Sequence, residues 1–421
     1  MMSCSSRHRL LASNLLLSGG KLWRNPLVEV DGEGRIVSVR VDGEVGECEG
    51  VTGSLVDRSA MTGSLVDRSA MTGSLVDRSA MTEFYSGIMM AGFVNAHTHL
   101  ELSYLRGAIE AGGGFAEFAS QIGRQRGQFT QSERLKALQL AQLELEREGV
   151  AGVGDIVNGE TSYEIKASGR GAIEYRNFAE LFGLRTTDME GVEGLLKRER
   201  TSATPHSLYS LNDPIIREIA ASGDRSTPLS IHFMESEQEQ QLYDRSGALY
   251  DWYERSGFEC DFLGYSSPAE RLISVVPADR SVILVHNCCV TQRDIDLIMS
   301  HFTAPVYWCV CPRSNRYISN SVPPLDLLRR GGLNICVGTD SLASNWSLSI
   351  VEELRAMASV PLVERLDWAT RIGTKALALN DLGDIEVGKR PRINTLSGID
   401  YEALELTERS RVTCIVPSKT E

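Results

Sequence analysis

From residue 89 to residue 340 one hydrophobic pattern recurs along the chain. A short apolar segment runs into a polar or ionisable residue, a stretch of helical periodicity follows, and the pattern begins again. The apolar segments predict eight strands: Met89–His99, Val150–Val157, Ala172–Leu181, Ser202–His206, Leu229–Glu235, Val282–Asn287, Val306–Cys311 and Asn334–Asp340. Amphipathic runs such as Ser132–Glu148, Pro214–Ala221 and Thr291–Ser300 lie between them. Near-continuous apolar strands alternating with helices indicate a parallel sheet covered on both faces. Eight such units predict an α/β fold of the (β/α)₈, or TIM-barrel, type. Barrels of this type carry their active sites at the C-terminal ends of the strands. Ionisable residues sit there in strands one, four, five, six and eight.

The flanking segments follow a different, strand-like pattern. Leu10–Leu17 is apolar but interrupted by Ser13-Asn14, which favours a first strand over the unbroken apolar core of a signal peptide. Gly19-Gly20 and Val28–Gly34 read as hairpin and turn. Beyond the barrel, Asp381–Leu396 and Val412–Val416 read as further strands. Both ends are expected to pair in a small β-sandwich, with residues 1–90 as its N-terminal part, 91–380 as the barrel and 381–421 as its C-terminal part. A ten-residue unit, GSLVDRSAMT, occurs three times in succession from Gly53 to Thr82. Units this short cannot stack into a solenoid, so residues 53–82 read as a tolerated insertion in a surface loop.

Composition narrows the function. The 421 residues are 42% hydrophobic and 24% charged, ordinary for a globular protein with one large and one smaller unit. A net charge of -13 opposes a nucleic-acid surface and leaves a small-molecule substrate as the expected partner. No apolar run has the length of a membrane span. Nine cysteines without a framework suit reduced thiols and a cytoplasmic setting; Cys309-Val310-Cys311 is spaced one residue too closely for a zinc knuckle. Self-association into a homo-oligomer stays open.

The candidate chemistry lies at the strand ends. His97 and His99, two apart on a strand, point the same way. His232 ends strand five with Glu235 three residues on, His286 ends strand six, and Asp340 ends strand eight. Singly, each has a plain alternative: a packed or solvated histidine, or, for Asp340, a helix cap. Five of the seven histidines falling at predicted strand ends favours a metal site.

These residues stand in longer motifs: Gly92-Phe-Val-Asn-Ala-His-Thr-His99, His232-Phe-Met-Glu235, His286, Cys311-Pro-Arg-Ser-Asn315, Gly338-Thr-Asp-Ser-Leu-Ala-Ser-Asn345 and Gly388-Lys389. Over nearly its whole length the chain thereby resembles the amidohydrolase superfamily, in its cytosine/adenosine-type deaminase and chlorohydrolase branch. The resemblance implies that His97, His99, His232 and Asp340 hold one divalent ion, zinc by expectation, although Fe²⁺ or Mn²⁺ also suits such donors. It further implies catalytic roles for three residues. Asp340 accepts a proton from water, Glu235 protonates a ring nitrogen, and His286 orients the attacking oxygen. Two-metal relatives bridge their ions with a modified lysine at the end of strand four. Lys136, Lys166 and Lys197 all lie in helical or loop stretches, so one ion is expected.

The implied activity is metal-dependent hydrolytic deamination of an aminated heterocycle, such as a purine nucleoside-like compound. Dechlorination or cyclic-amide hydrolysis is the alternative within the superfamily, and a non-catalytic binding protein the alternative outside it. Thr204–Tyr209 resembles the segment in which adenosine-type deaminases place a substrate-contacting histidine, here His206. His99–Ser103 looks like aminodeoxyfutalosine deaminases and brings in Glu101, and Glu110 matches a position that grips ribose hydroxyls in nucleoside deaminases. Arg313 and Asn315 follow strand seven, where a guanidinium can pair with a substrate carboxylate; a structural pairing of Arg313 is equally open. Trp346 either walls the pocket or packs elsewhere.

Overall fold

The computed structural model describes residues 8–45, 82–168, 173–258, 260 and 264–417. The repeat lies outside the described residues apart from Thr82, and so does Ala172. Strands β1 (Arg9–Ser18), β2 (Lys21–Arg24), β3 (Leu27–Val30), β4 (Ile36–Arg40), β5 (Gly43–Glu44) and β6 (Thr82–Ala91) precede the barrel. The barrel strands are β7 (Phe93–Thr98), β8 (Val150–Val157), β9 (Glu174–Leu181), β10 (Thr201–Pro205), β11 (Leu229–Phe233), β12 (Val282–His286), β13 (Val306–Val310) and β14 (Asn334–Val337). β15 (Ile393–Ser397) and β16 (Arg411–Val416) follow it.

Both ends of the chain meet in one mixed sheet of order β16-β15-β6-β1-β2-β5. The sheet forks at β1, whose first half pairs with β3 and whose second half pairs with β2. The interruption at Ser13-Asn14 is a bulge: the register with β6 shifts between Ser13 and Leu15, and Asn14 Oδ1 accepts a hydrogen bond from the Gly87 amide at 2.9 Å.

The parallel barrel strands form two quartets, β7 to β10 and β11 to β14. Two seams close them into a ring. At one, Thr204 Oγ1 donates to the Ser230 carbonyl (2.7 Å) and the His232 amide to the His206 carbonyl (2.9 Å). At the other, the amides of Thr339 and Asp340 both reach the His97 carbonyl at 3.1 Å, and Asn95 Nδ2 donates to Thr339 Oγ1 at 2.7 Å. Gly338 permits this approach, because a Cβ there would stand 2.9 Å from the His97 carbonyl oxygen. Helices cover the outside. Gln131–Arg147 is started by a capping box between Thr130 and Glu133 and buries Leu138, Ala141 and Leu145.

The sequence predicts one strand over Met89–His99, but two are present. The chain leaves the terminal sheet with β6 and enters the barrel with β7. At the break, the Gly92 amide bonds to the Arg392 carbonyl (2.7 Å) and the Phe93 amide to that of Gly149 (3.0 Å). The second half of β6 and all of β7 are buried on both faces, so their apolar patterns fuse and hide the change of sheet.

The segment after β10 is pinned by Arg271, which is wholly buried in the helix Pro268–Val275. Its guanidinium pairs with Asp213 at 2.8 Å and donates to the carbonyls of Leu208 and Leu211. Removing one partner strands the other in a medium that cannot solvate it. Arg271→Leu is therefore expected to lower the unfolding free energy by about 3–5 kcal/mol in chemical denaturation. A loss below about 1 kcal/mol would show that the pair is not needed.

Candidate active site

The barrel delivers its ionisable side chains to one point. His97 ends the buried run of β7 and His99 follows it; His232 lies in β11, His286 closes β12, and Asp340 comes three residues after β14. Backbone geometry aims several of them. His286, Asn287, Asp340 and Met234 have φ of 81°, 58°, 56° and 49°, the left-handed region that L-residues enter at a cost. Asn287 holds its turn by donating to the carbonyls of Leu284 (2.8 Å) and Cys309 (3.1 Å).

The ligand atoms of His97, His99, His232 and Asp340 all lie within 4.8 Å of one another. His99 Nε2 and His232 Nε2 are 3.1 Å apart, and Asp340 Oδ1 is 3.6 Å from His99 Nε2 and 3.7 Å from His97 Nε2. Donors that share one ion at about 2.1 Å stand roughly 3–4 Å apart, so these spacings suit a single shared ion. The surroundings agree. Both ring nitrogens of His97 are buried without a hydrogen-bond partner, a costly arrangement unless one of them binds an ion. His232 Nδ1 donates to the His206 carbonyl at 2.7 Å, which leaves its Nε2 as a lone pair. Asp340 Oδ2 accepts from the hydroxyls of Ser314 and Ser344, each at 2.7 Å, which turns Oδ1 toward the histidines. The four residues form a metal-binding site.

Electrostatics separates the groups. Burial, followed by the neighbouring His97, lowers the pKa of His99 to about 4, and burial brings His286 to about 3, so both rings are neutral ligands or donors near neutral pH. Burial pushes Asp340 up, but His97, His99 and His286 outweigh it and hold the carboxyl well below its ordinary range. Glu235 goes the other way: burial, then the charges of Asp340 and Glu239, push its pKa well above that of a normal carboxyl, which favours its protonated form. Its Oε1 lies 3.6 Å from His286 Nε2. Asn315 Nδ2 lies 3.0 Å from His286 Nδ1; an amide N–H can only donate, so Nδ1 accepts and the ring proton sits on Nε2, facing the site.

Above the site opens a cavity of about 430 Å³ lined by His99, His206, His232, Glu235 and Asp340, with Asn158 and Glu180 beside them. Its outer wall is aromatic: Phe115, Phe118, Phe182, Trp252, Tyr253 and Phe258. Arg126 is the one lysine or arginine in the lining among the described residues, and its guanidinium forms no ion pair among them.

The structure thus brings His206 to the cavity together with the metal set and Glu235, and separates the other expected substrate contacts from it. Glu101 turns aside and accepts the Asn158 amide at 3.0 Å. Glu110 is exposed away from the lining. Asn315 is buried behind His286. Arg313 donates to Ser347 Oγ at 2.7 Å and stacks over Trp346, which packs on Tyr317 and stays half exposed. Both belong to a neighbouring surface. Sequence reasoning missed Glu180, although it too is an ionisable residue at a strand end, and Arg126, whose helix carries no pattern to mark it.

Comparison with known proteins follows this geometry. An adenosine deaminase of Helicobacter pylori is 29% identical over 326 residues, which span 73% of this chain and 78% of that protein. The crystal structure of Helicobacter pylori aminofutalosine deaminase in complex with methylthio-coformycin superposes with a TM-score of 0.73 at 23% identity, covering 95% of this chain and 93% of the other. That of an atrazine chlorohydrolase from Arthrobacter aurescens complexed with zinc gives 0.70 at 16% identity, covering 97% and 94%. The model of the Amidohydrolase family matches residues 88–415, which span the end of β6, the whole barrel, β15 and nearly all of β16. With the metal set at its strand ends and a family match of that extent, the chain belongs to the amidohydrolase family.

Proposed function

We propose that this enzyme is a hydrolytic deaminase of an adenine-type nucleoside carrying a bulky, acidic substituent, with aminodeoxyfutalosine ahead of adenosine. The observation that carries the reading is one cavity whose lining joins the metal set, Glu235, an aromatic wall and Arg126. The names of the Helicobacter pylori proteins, adenosine deaminase and aminofutalosine deaminase, support it.

When bound, a divalent ion at His97, His99, His232 and Asp340, zinc by analogy with the chlorohydrolase structure, supplies the Lewis acidity that makes water nucleophilic near neutral pH. The chain's own groups do the rest. Glu235 gives its proton to the ring nitrogen next to the amino-bearing carbon as the oxygen of water adds there. Asp340 takes a proton from that water and returns it to the departing amino group, and the remaining hydroxyl proton passes to the Glu235 carboxylate, so the C–N bond breaks with release of ammonia and a ring carbonyl remains. His286 Nε2–H donates to the incoming oxygen and steadies the charge it gathers. The aromatic wall excludes water and packs the substituent, and Arg126 meets its carboxylate, the role that Arg313 is too far aside to fill.

Metal-replete protein is expected to hold about one divalent ion per chain by elemental analysis, and His97→Ala or Asp340→Ala to lose it together with activity. Two tightly held ions per chain would overturn the single-ion site. Glu235→Gln should keep the ion and bind substrate while ammonia release slows on the order of a hundredfold or more. Turnover at the wild-type rate removes Glu235 from the chemistry. Arg126→Met should raise KM for a carboxylate-bearing nucleoside roughly tenfold while sparing adenosine. Equal losses on the two substrates, or a selective loss in Arg313→Met instead, would relocate the acidic group. Chloride released from a halogenated ring, with no ammonia from any nucleoside, would move the enzyme to the dechlorinating branch.

A further inference from the structure

Glu180 is the penultimate residue of β9, and its carboxylate is buried, 7% exposed, at the inner rim of the cavity. Both of its oxygens are engaged. Oε1 accepts from His206 Nδ1 at 2.6 Å, and Oε2 accepts from Asn158 Nδ2 at 3.1 Å. Asn158 is fixed in turn through its backbone amide, which Glu101 holds at 3.0 Å. Burial alone would raise the carboxyl pKa, yet the charge and hydrogen bond of His206, with His99 and Asn158, bring it to about 2. A carboxylate in this setting can only accept, so the proton of the Glu180–His206 hydrogen bond belongs to Nδ1.

His206 lies with its ring 4.3 Å from that of His232 and keeps 29% of its side chain exposed to the cavity. An imidazole attached through a single soft torsion has two settings of similar energy, in which Nδ1 trades places with Cδ2 and Nε2 with Cε1. The carboxylate removes that freedom. Nδ1–H is committed to Glu180, and Nε2 is left as the nitrogen that meets whatever fills the cavity.

We propose that Glu180, braced by Asn158, is a positioning residue that fixes the ring of His206 against the bound heterocycle and so sets substrate affinity rather than the rate of the chemical step. The proposal rests on the deaminase reading of the site. It gives a use to Glu101 as well, as the outer end of a Glu101–Asn158–Glu180–His206 chain that reaches the substrate only through its last member.

The experiment is a double-mutant cycle read on ammonia release, metal content and a proton NMR spectrum of the zinc-loaded enzyme. Glu180→Leu should raise KM about tenfold, with kcat changed by less than about threefold and the ion retained. Glu180→Gln, whose amide oxygen can still accept from Nδ1–H, should lose less. In a His206→Phe background, Glu180→Leu should cost nothing further, because its whole effect passes through the missing ring. Additive losses, or loss of the ion in Glu180→Leu, would overturn the proposal and leave Glu180 a structural residue. Should Glu180→Leu not fold, Asn158→Ala and Glu180→Gln carry the same cycle. A slowly exchanging low-field imidazole N–H signal is expected in the wild type and should vanish in both His206→Phe and Glu180→Leu; its survival in Glu180→Leu refutes the anchoring. A wild-type enzyme that shows this signal but releases ammonia from no aminated purine nucleoside refutes the deaminase reading instead.

Discussion

One of the two seams that close the barrel centres on a single oxygen. The carbonyl of His97 receives the amides of both Thr339 and Asp340, which ties the first barrel strand to the last. The same contact sets Asp340 beside His97 and His99, so closure of the sheet and assembly of the ligand set are one event. Residues separated by more than two hundred positions meet with donor spacings of 3.6–3.7 Å because the backbone ladder, and not the side chains, fixes their separation. Gly338 makes the approach sterically available. A metal site built in this way is as rigid as the sheet that carries it.

The rest of the site works by giving chemically similar groups different environments. Two carboxyls lie near the same point: Asp340, surrounded by imidazoles and two serine hydroxyls, is held toward its anion, whereas burial and neighbouring acids push Glu235 toward its protonated form. Acid and base can then coexist at one pH within one cavity. The histidines divide in the same manner. His232 turns a lone pair inward because its other nitrogen donates to a carbonyl, while His286 turns a proton inward because its other nitrogen accepts from Asn315.

Much of this was legible in the sequence, for a physical reason. Strand-end residues of a parallel barrel follow apolar runs, so His97, His99, His232, His286 and Asp340 are marked by what precedes them. Glu235 is marked by its spacing from His232. Residues carried on helices have no such mark. Asn315 and Arg313 stand two apart in the helix Pro312–Ser319, so they face nearly opposite ways: one goes inward to His286 and the other outward to Ser347. A reading of strand ends alone sends both to the mouth. The aromatic wall and Arg126 come from helices and loops, where no strand end marks a residue as facing the mouth, and the change of sheet at Gly92 falls within a run that is apolar on both sides. Burial erases the alternation by which a boundary is recognised.

Four residues around the site, Met234, His286, Asn287 and Asp340, keep left-handed backbone conformations that only glycine adopts freely. Each such setting costs about 1–3 kcal/mol, and the surrounding sheet has to absorb it. Glycine at any of the four positions would relieve that strain, and at His286 or Asp340 it would also delete a functional group. Selection of this chain for heat tolerance alone therefore has a downhill path that runs straight through the active site. The most thermostable descendants of such a search would be inert barrels, and a screen meant to improve the enzyme has to keep turnover in its selection from the first round.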